Sequence, residues 1–228
     1  QYRDHKEEYD KAIHNCLNEG KLVLQEQLEA FEDNLARYLG MKYVVGVGNG
    51  TDALILALKA KGISGQRIST SGYTFKATME AIVHSGNKLV IEDINENRLL
   101  DTTRFSLPVH IEGSVSHCSE VIIEDGAQAI GAKGVGYSGT YTLSFYPAKI
   151  LGCFGDGGAV VTNEKWIADK VKLLRHHWQT DENEEYGYNS RLDNVQAAFL
   201  NVKLKYLDEI LVRRKAIAIR YLEELEGV

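Results

Sequence analysis

The chain has 228 residues, of which 44% are hydrophobic and 25% are charged, and its formal net charge at pH 7 is -6. This composition is typical of a globular protein, and it argues against a broad nucleic-acid or anionic-membrane surface. No apolar run approaches the roughly 18 to 20 residues of a membrane span, and the polar start lacks a signal-peptide pattern. We therefore expect a soluble protein that binds any anionic ligand locally.

The first 40 residues predict two amphipathic helices. Apolar residues recur at helical spacing in two runs, Tyr9, Ile13, Cys16 and Leu17, then Leu28, Phe31, Leu35 and Leu39. This spacing places each run on one face of a helix. We assign residues 1–40 to a helical segment that packs on a larger domain.

Strands and helical runs alternate over residues 41–203, which we assign to one large domain. The predicted strands are residues 43–47, 67–71, 88–92, 121–124, 140–145 and 159–162. Helical runs follow the first strand, from Thr51, and the second, from about Phe75 to His84. This alternation predicts an α/β fold with a mostly parallel sheet, whose ligands bind at the carboxyl ends of the strands.

The remaining elements are predicted with less periodic support. Asn163 is a candidate N-cap for a helix after the last strand, and a long helix is predicted from about residue 192 to 225. Residues 204–228 then form the part of this helix that leaves the large domain. Residues 95–119 show little periodicity and predict turns and exposed loop.

A glycine-rich turn, Gly46-Val-Gly-Asn-Gly-Thr51, joins the first strand to the following helix. It exposes backbone amides where a helix begins, which favours an anion, although a plain strand-to-helix turn has the same pattern. No Gly-Lys-Ser/Thr follows, and Thr51 occupies the last glycine position of the Gly-x-Gly-x-x-Gly motif. The turn therefore argues against ATP and NAD motifs of the usual kind.

Two side chains near predicted strand ends indicate a cofactor. Lys149 ends the segment 143–149, and Asp125 lies within the segment 123–128. A lysine amine forms a Schiff base with pyridoxal phosphate, and a buried carboxylate keeps its pyridine ring protonated. Taken singly, Asp125 is also compatible with a helix cap and Lys149 with a solvated loop. Their conjunction with the anion-binding turn indicates an aminotransferase.

The chain resembles the DegT/StrS-type nucleotide-sugar aminotransferases among the fold type I pyridoxal-phosphate enzymes. Six motifs follow in the family's order, at residues 49–54, 73–78, 124–128, 144–149, 155–159 and 188–192. The resemblance covers nearly the whole chain and implies an aspartate aminotransferase-like large domain. It also implies that the carboxyl-terminal small domain is largely absent here, and that residues 93–125 form a shorter interval than in relatives.

The resemblance assigns four residues to the cofactor ring. Lys149 is implied to form the Schiff base and to serve as the base that moves a proton. Asp125 is implied to contact the pyridine nitrogen, and Gln128 to lie beside the ring hydroxyl. Phe75 matches the aromatic residue that stacks on the ring, although core packing is an equally simple reason for an aromatic side chain.

The resemblance assigns four further residues to the cofactor phosphate. Gly50, Thr51 and Ser144 match its phosphate-binding positions. Asn189 matches a residue that reaches the phosphate from a neighbouring subunit, which implies a homodimer with shared active sites. A surface turn amide is the alternative for Asn189, because Gly187 lies close by.

The implied reaction moves an amino group from an amino acid, by analogy L-glutamate, to a nucleotide-linked keto-deoxy sugar. The motifs look closest to members that use dTDP-linked sugars with a 3-keto group, such as a dTDP-3-keto-6-deoxyhexose. A non-catalytic or regulatory homologue of the same fold is an open alternative. A pyridoxal-phosphate sugar dehydratase is another, which Lys149 disfavours because relatives with that activity carry histidine instead.

Cysteine and histidine usage gives no metal prediction. Cys16, Cys118 and Cys153 are far apart and lack CxxC spacing, which argues against disulfides and structural zinc and favours the reducing cytoplasm. No histidine pair has metal-ligand spacing together with carboxylates, so we expect no metal. We expect His110 to be a hydrogen-bonded histidine near the sheet end rather than a catalytic base.

Overall fold

The computed structural model describes residues 2–179 and 186–225. The helices in these ranges are α1 Lys6–Glu19, α2 Glu26–Leu39, α3 Gly50–Ala60, α4 Lys76–His84, α5 Lys165–Leu174, α6 Asn194–Lys205 and α7 Leu207–Glu224. The strands are β1 Tyr43–Val47, β2 Arg67–Ser71, β3 Lys88–Glu92, β4 Phe105–Ser106, β5 Glu120–Val121, β6 Glu124–Asp125, β7 Thr140–Ser144 and β8 Gly158–Thr162.

The strands form two four-stranded sheets that meet at one bridge. Their orders are β3-β2-β4-β5 and β6-β7-β8-β1, and Val109 pairs with Asp125 in a parallel bridge between them. Strand β8 runs antiparallel to β7 and β1, and the other strand pairs of the described ranges are parallel. The predicted α/β fold with a mostly parallel sheet is therefore confirmed.

Helices cover both faces of the sheet. Successive strand side chains point to opposite faces, so Val45 packs with α3, α4 and α5, whereas Val44 packs with α1, α2 and α6. The two predicted N-terminal helices lie in the second layer, where Phe31 is fully buried. The division at residues 40 and 203 stays a prediction.

The C-terminal helix differs from its prediction. The prediction of a single helix over residues 192–225 is wrong, because Tyr206 (φ -104°, ψ 9°) interrupts the helix between α6 and α7. The Tyr206 hydroxyl donates to Glu8, and its ring stacks on His5 with centroids 3.6 Å apart. Helix α6 thus packs against α1 and α2, whereas the described part of α7 is exposed beyond Leu211.

Asn163 was a candidate N-cap for the helix after β8, but it does not cap that helix. Helix α5 begins two residues later, after Glu164, and the Asn163 side chain instead accepts a hydrogen bond from the backbone amide of Lys42 at 3.0 Å. This bond ties the end of β8 to the start of β1. A partner 121 residues away in the sequence gives no local signal.

The interval between β3 and β6 also departs from the prediction. The strand predicted at 121–124 is split into β5 and β6, and the predicted exposed loop at 95–119 contains β4 and the buried residues Leu107 and His110. The two crossovers of this interval connect β3 to β4 and β4 to β5. They contain a 3-10 turn, Ile111–Gly113, and no α-helix. Parallel crossovers usually carry a helix. Buried polar contacts, described below, fix the second crossover instead.

In residues 2–179 and 186–225, no helix is long and apolar enough to cross a bilayer.

Candidate active site

The carboxyl ends of the parallel strands gather the predicted residues at one edge of the sheet. The chain leaves β1 at the glycine-rich turn, β2 ahead of Phe75, β6 at Asp125 and β7 ahead of Lys149. A cavity of about 1420 Å³ opens at this edge. Its lining includes seven of the eight predicted residues, namely Gly50, Thr51, Phe75, Asp125, Gln128, Ser144 and Lys149.

Side-chain hydrogen bonds fix the glycine-rich turn. The Asn49 side chain caps α3 by accepting the amide of Asp52 at 2.8 Å. Ser190 accepts the Gly48 amide at 3.0 Å and donates its hydroxyl to Asp52 at 2.6 Å. The first turn of α3 therefore presents its remaining amides, and the positive end of the helix dipole, to the cavity. The sequence did not reveal the roles of Asp52 and Ser190.

Close approach of two backbone segments requires a glycine at position 50. A Cβ atom on Gly50 would lie 2.8 Å from the Ser144 Cβ, which is too close for ordinary contact. The absence of a side chain brings the start of α3 against the end of β7. Amides and a hydroxyl from two distant segments thus converge, which is the arrangement that a phosphate group needs.

Asp125 lies at the end of β6 with a buried carboxylate. The Thr78 hydroxyl donates to its Oδ2 at 2.7 Å, and the Ala127 amide donates to its Oδ1 at 3.0 Å. These two bonds fix the carboxylate from opposite elements, helix α4 and the turn after β6. Asp125 does not cap a helix. Thr78 was part of a recognised motif, but its contact with Asp125 was not predicted.

Lys149 lies half-buried in the turn after β7, where its backbone amide donates to the Tyr146 carbonyl at 2.8 Å. Within the described ranges its amine has no hydrogen bond or ion pair with another side chain. The amine is therefore available to a ligand in the cavity that it shares with Asp125.

Phe75 and Asn189 lie outside the hydrophobic core. Phe75 is 73% exposed at the start of α4 and lines the cavity, so core packing does not explain it. Asn189 is exposed and is not part of the cavity lining of its own chain. Its position is compatible with the predicted contact from a neighbouring subunit and also with a surface turn.

Gln128 is oriented by a backbone amide. Its Oε1 accepts the Glu112 amide at 3.0 Å, so its amide group keeps two donors for other partners. Glu112 has φ of 55°, in the left-handed region that non-glycine residues rarely adopt. Its carboxylate accepts the Tyr73 hydroxyl at 3.0 Å. Glu112 was not predicted to be near the site.

A fully buried pair, His110 and Glu124, anchors the strand that carries Asp125. The Ser116 amide donates to His110 Nδ1 at 3.2 Å, so the proton of this neutral ring lies on Nε2, which donates to Glu124 at 2.8 Å. Glu124 also accepts the amides of Gly136 and Ser138, each at 2.7 Å. His110 is therefore a hydrogen-bonded histidine near the sheet end, as predicted.

The pKa of the Glu124 carboxyl reflects two opposing effects. Burial raises this pKa, but the hydrogen bonds from His110, Ser138 and Gly136 together lower it below its ordinary value. The charged form is therefore the one that the folded protein stabilises. The Glu124 carboxylate therefore connects strand β6 to two other segments. These are the crossover from β4 to β5, through His110, and the loop before β7, through Gly136 and Ser138.

The groups in the cavity fit pyridoxal phosphate. The α3 amides and Ser144 suit its phosphate, Asp125 suits its ring nitrogen, the Gln128 amide suits its hydroxyl, and Lys149 suits its aldehyde. The glycine at position 50 allows the start of α3 to lie directly against Ser144. In residues 2–179 and 186–225, no three histidine, cysteine or carboxylate side chains converge as metal ligands.

Comparisons with known proteins agree with this chemistry. The model of the DegT/DnrJ/EryC1/StrS aminotransferase family matches residues 3–228. A dTDP-3-amino-3,4,6-trideoxy-alpha-D-glucose transaminase of Streptomyces venezuelae is 37% identical over 100% of this chain and 68% of its own length. A pleiotropic regulatory protein of Geobacillus stearothermophilus is 35% identical over 99% of this chain and 68% of its own length.

A solved structure shows the same fold. The crystal structure of NtdA from Bacillus subtilis with bound cofactor PMP has a TM-score of 0.87 at 31% identity, and the match covers 97% of this chain and 57% of that one. The predicted fold, cofactor and class of enzyme, a pyridoxal-phosphate-dependent sugar aminotransferase, are confirmed. The chain belongs to the DegT/DnrJ/EryC1/StrS aminotransferase family.

Proposed function

We propose that this protein transfers an amino group from L-glutamate to a nucleotide-linked keto-deoxy sugar, most similar to a dTDP-3-keto-6-deoxyhexose. The observation that carries the proposal is the single cavity shared by Lys149, Asp125, Ser144 and the start of α3. The Streptomyces venezuelae relative, named for a dTDP-linked amino sugar, supports this choice of acceptor.

The residues of the cavity have distinct tasks in this reaction. Bound pyridoxal phosphate supplies an electron sink for the carbanion at the donor's α carbon. Asp125, held by Thr78 and Ala127, binds the ring nitrogen through a charge-assisted hydrogen bond that contributes about 1.5–3 kcal/mol. The Lys149 amine moves a proton between the donor's α carbon and C4′ of the cofactor.

Anchoring and shielding complete the assignment. Gly50, Thr51 and Ser144 bind the phosphate, Gln128 donates to the ring hydroxyl, and the exposed Phe75 ring covers one face of the cofactor against water. The cavity exceeds the usual range of about 300–1,000 Å³ for ligand pockets. A volume of about 1420 Å³ leaves space for a substrate beside the cofactor.

We propose further that the protein is a homodimer in which Asn189 of each subunit reaches the cofactor phosphate of the other. The exposed position of Asn189 outside its own cavity supports this arrangement. Its location is the cytoplasm, which the free thiols of Cys16, Cys118 and Cys153 support.

The proposal is tested by the first half of the reaction. Protein loaded with pyridoxal phosphate is mixed with L-glutamate, and the absorbance of the cofactor is followed together with the formation of 2-oxoglutarate. The aldehyde form should convert to the amine form in wild-type protein and not in Lys149→Ala. Equal conversion in this variant would contradict the role of Lys149.

A non-catalytic homologue is the second candidate, because one relative at 35% identity is named a regulatory protein. A protein of this kind binds the cofactor but leaves it in the aldehyde form with every amino donor. Conversion by L-glutamate therefore separates the two candidates. A sugar dehydratase would instead remove a hydroxyl from the nucleotide sugar without adding nitrogen, which mass spectrometry of the product detects.

A further inference from the structure

Helix α7 brings two cations to the cavity. Arg214 and Lys215 follow Leu211 by three and four residues, so the three side chains share one face of the helix. All three line the cavity, whereas the neighbouring Arg213 does not.

The position of this face is fixed by a close contact with the turn after Gln128. Gly131 has φ of +81°, and a Cβ atom at this position would lie 2.5 Å from the Leu211 Cδ1. Leu211, in the second turn of α7, therefore packs directly on the backbone of the turn after Gln128. The two cations enter the cavity beside the Gln128 turn, whereas the cofactor phosphate is assigned to the start of α3 and Ser144.

Neither cation is neutralised by the protein. In residues 2–179 and 186–225, Arg214 and Lys215 form no ion pair, although the cavity lining also contains the acids Asp52, Glu112, Asp125 and Asp156. The carboxylates of Asp52, Glu112 and Asp125 accept hydrogen bonds from Ser190, Tyr73 and Thr78 instead. The two cationic groups are thus free to bind an anion that enters the cavity.

We propose that Arg214 and Lys215 form a subsite for an oxyanion of the substrate, separate from the site of the cofactor phosphate. This subsite rests on the proposed function, whose substrates carry two such groups, the α-carboxylate of the amino donor and the diphosphate of the nucleotide sugar. A guanidinium binds either group with two parallel hydrogen bonds, and an ammonium adds a mobile point charge.

The test compares Arg214→Gln/Lys215→Gln with Arg213→Gln in cofactor-loaded protein. The control residue is an exposed arginine on the same helix that does not line the cavity. One arm measures the L-glutamate concentration that half-saturates conversion of the cofactor. The other arm measures the Kd of dTDP by calorimetry, which requires no turnover.

The double variant should raise either the half-saturating glutamate concentration or the Kd of dTDP by about tenfold or more, as expected for loss of charge-assisted hydrogen bonds. The control variant should change neither value by more than about twofold. A change in the glutamate arm identifies the α-carboxylate, and a change in the dTDP arm identifies the diphosphate. Arg214→Lys, which keeps the charge, should recover part of the loss.

If the double variant left both the half-saturating glutamate concentration and the Kd of dTDP unchanged, the proposed subsite would be contradicted. Wild-type protein that binds neither glutamate nor dTDP would contradict it as well. Failure of the proposed function gives a different result. In that case the wild-type cofactor is not converted by glutamate, while the calorimetric arm still reports whether the two cations bind a diphosphate. Thermal unfolding of each variant tests whether the substitutions leave the fold intact.

Discussion

The Thr78 hydroxyl donates a hydrogen bond to Asp125 Oδ2 at 2.7 Å, and this buried bond joins helix α4 to the end of strand β6. The bond holds one oxygen of the carboxylate that we assign to the cofactor ring nitrogen. Its geometry makes Thr78 a positioning residue, because it acts on the cofactor through Asp125.

Replacing Thr78 with valine should weaken cofactor binding. The variant keeps the shape of the side chain but leaves Asp125 without one donor, and the net loss for such a bond is about 0.5–1.5 kcal/mol, or roughly two- to tenfold in Kd. Titration with pyridoxal phosphate measures this change. Thr74→Val is the control, since the Thr74 hydroxyl contacts Thr78 rather than Asp125. Equal effects in both variants would contradict the positioning role.

Replacing Gly50 with alanine should impair the phosphate site. The new methyl group would lie 2.8 Å from the Ser144 Cβ, and forcing the two segments apart costs about 1–3 kcal/mol. We expect a raised Kd for pyridoxal phosphate and for inorganic phosphate as a competitor. Gly72→Ala provides a control, because its nearest neighbour is the Cγ2 atom of the exposed Ile91 side chain at 3.3 Å. Unchanged affinity in Gly50→Ala would argue against phosphate binding at this turn.

The strands were predictable, whereas the contacts that shape the site were not. Residues 43–47 match β1 because alternating apolar side chains pack on both faces of the sheet, a pattern visible locally. The bond between Thr78 and Asp125 joins residues 47 positions apart. No local pattern reports which of several hydroxyls reaches a carboxylate at that separation.

Two features of the backbone also could not be predicted from the sequence pattern. The break at Tyr206 leaves helical periodicity on both sides, so a continuous helix was the simpler prediction. Glu112 adopts a left-handed conformation that ordinarily favours glycine, and only the structure shows its amide bonded to Gln128. Seven of eight predicted site residues nevertheless line one cavity, because they follow the strand ends of a parallel sheet.

The stability of the fold should fall in acid partly through Glu124. Its folded-state pKa lies below the ordinary value of 4.5, so it stabilises the native state above about pH 4.5, and this contribution is lost as pH falls through the lowered folded pKa. Glu124→Gln should lower the free energy of unfolding near pH 7 by about 1–3 kcal/mol.

The measurement for Glu124 is denaturant unfolding between pH 7 and pH 3. The difference between wild type and Glu124→Gln should shrink toward the acid end, whereas the exposed Glu120→Gln should follow the wild-type curve. A difference that stays constant over this range would show that the lowered pKa of Glu124 does not stabilise the fold.

Shared active sites predict complementation between two inactive variants. Lys149→Ala lacks the amine, and Asn189→Ala lacks the side chain that we assign to the partner's cofactor phosphate. A mixed dimer has one cavity with Lys149 from one subunit and Asn189 from the other. Mixing the two variants after mild unfolding and refolding should therefore restore one site in each mixed dimer, or about a quarter of all sites after random reassembly. No gain in activity, despite mixed dimers detected by mass spectrometry, would contradict sharing.

Peptide mapping tests most directly whether the cofactor is covalently bound to Lys149. Cofactor-loaded protein is reduced with borohydride, digested and analysed by mass spectrometry. We predict a pyridoxyl phosphate group on the peptide that contains Lys149, absent after Lys149→Ala. A stable label on another lysine, or a protein that binds the cofactor without any label, would contradict the account.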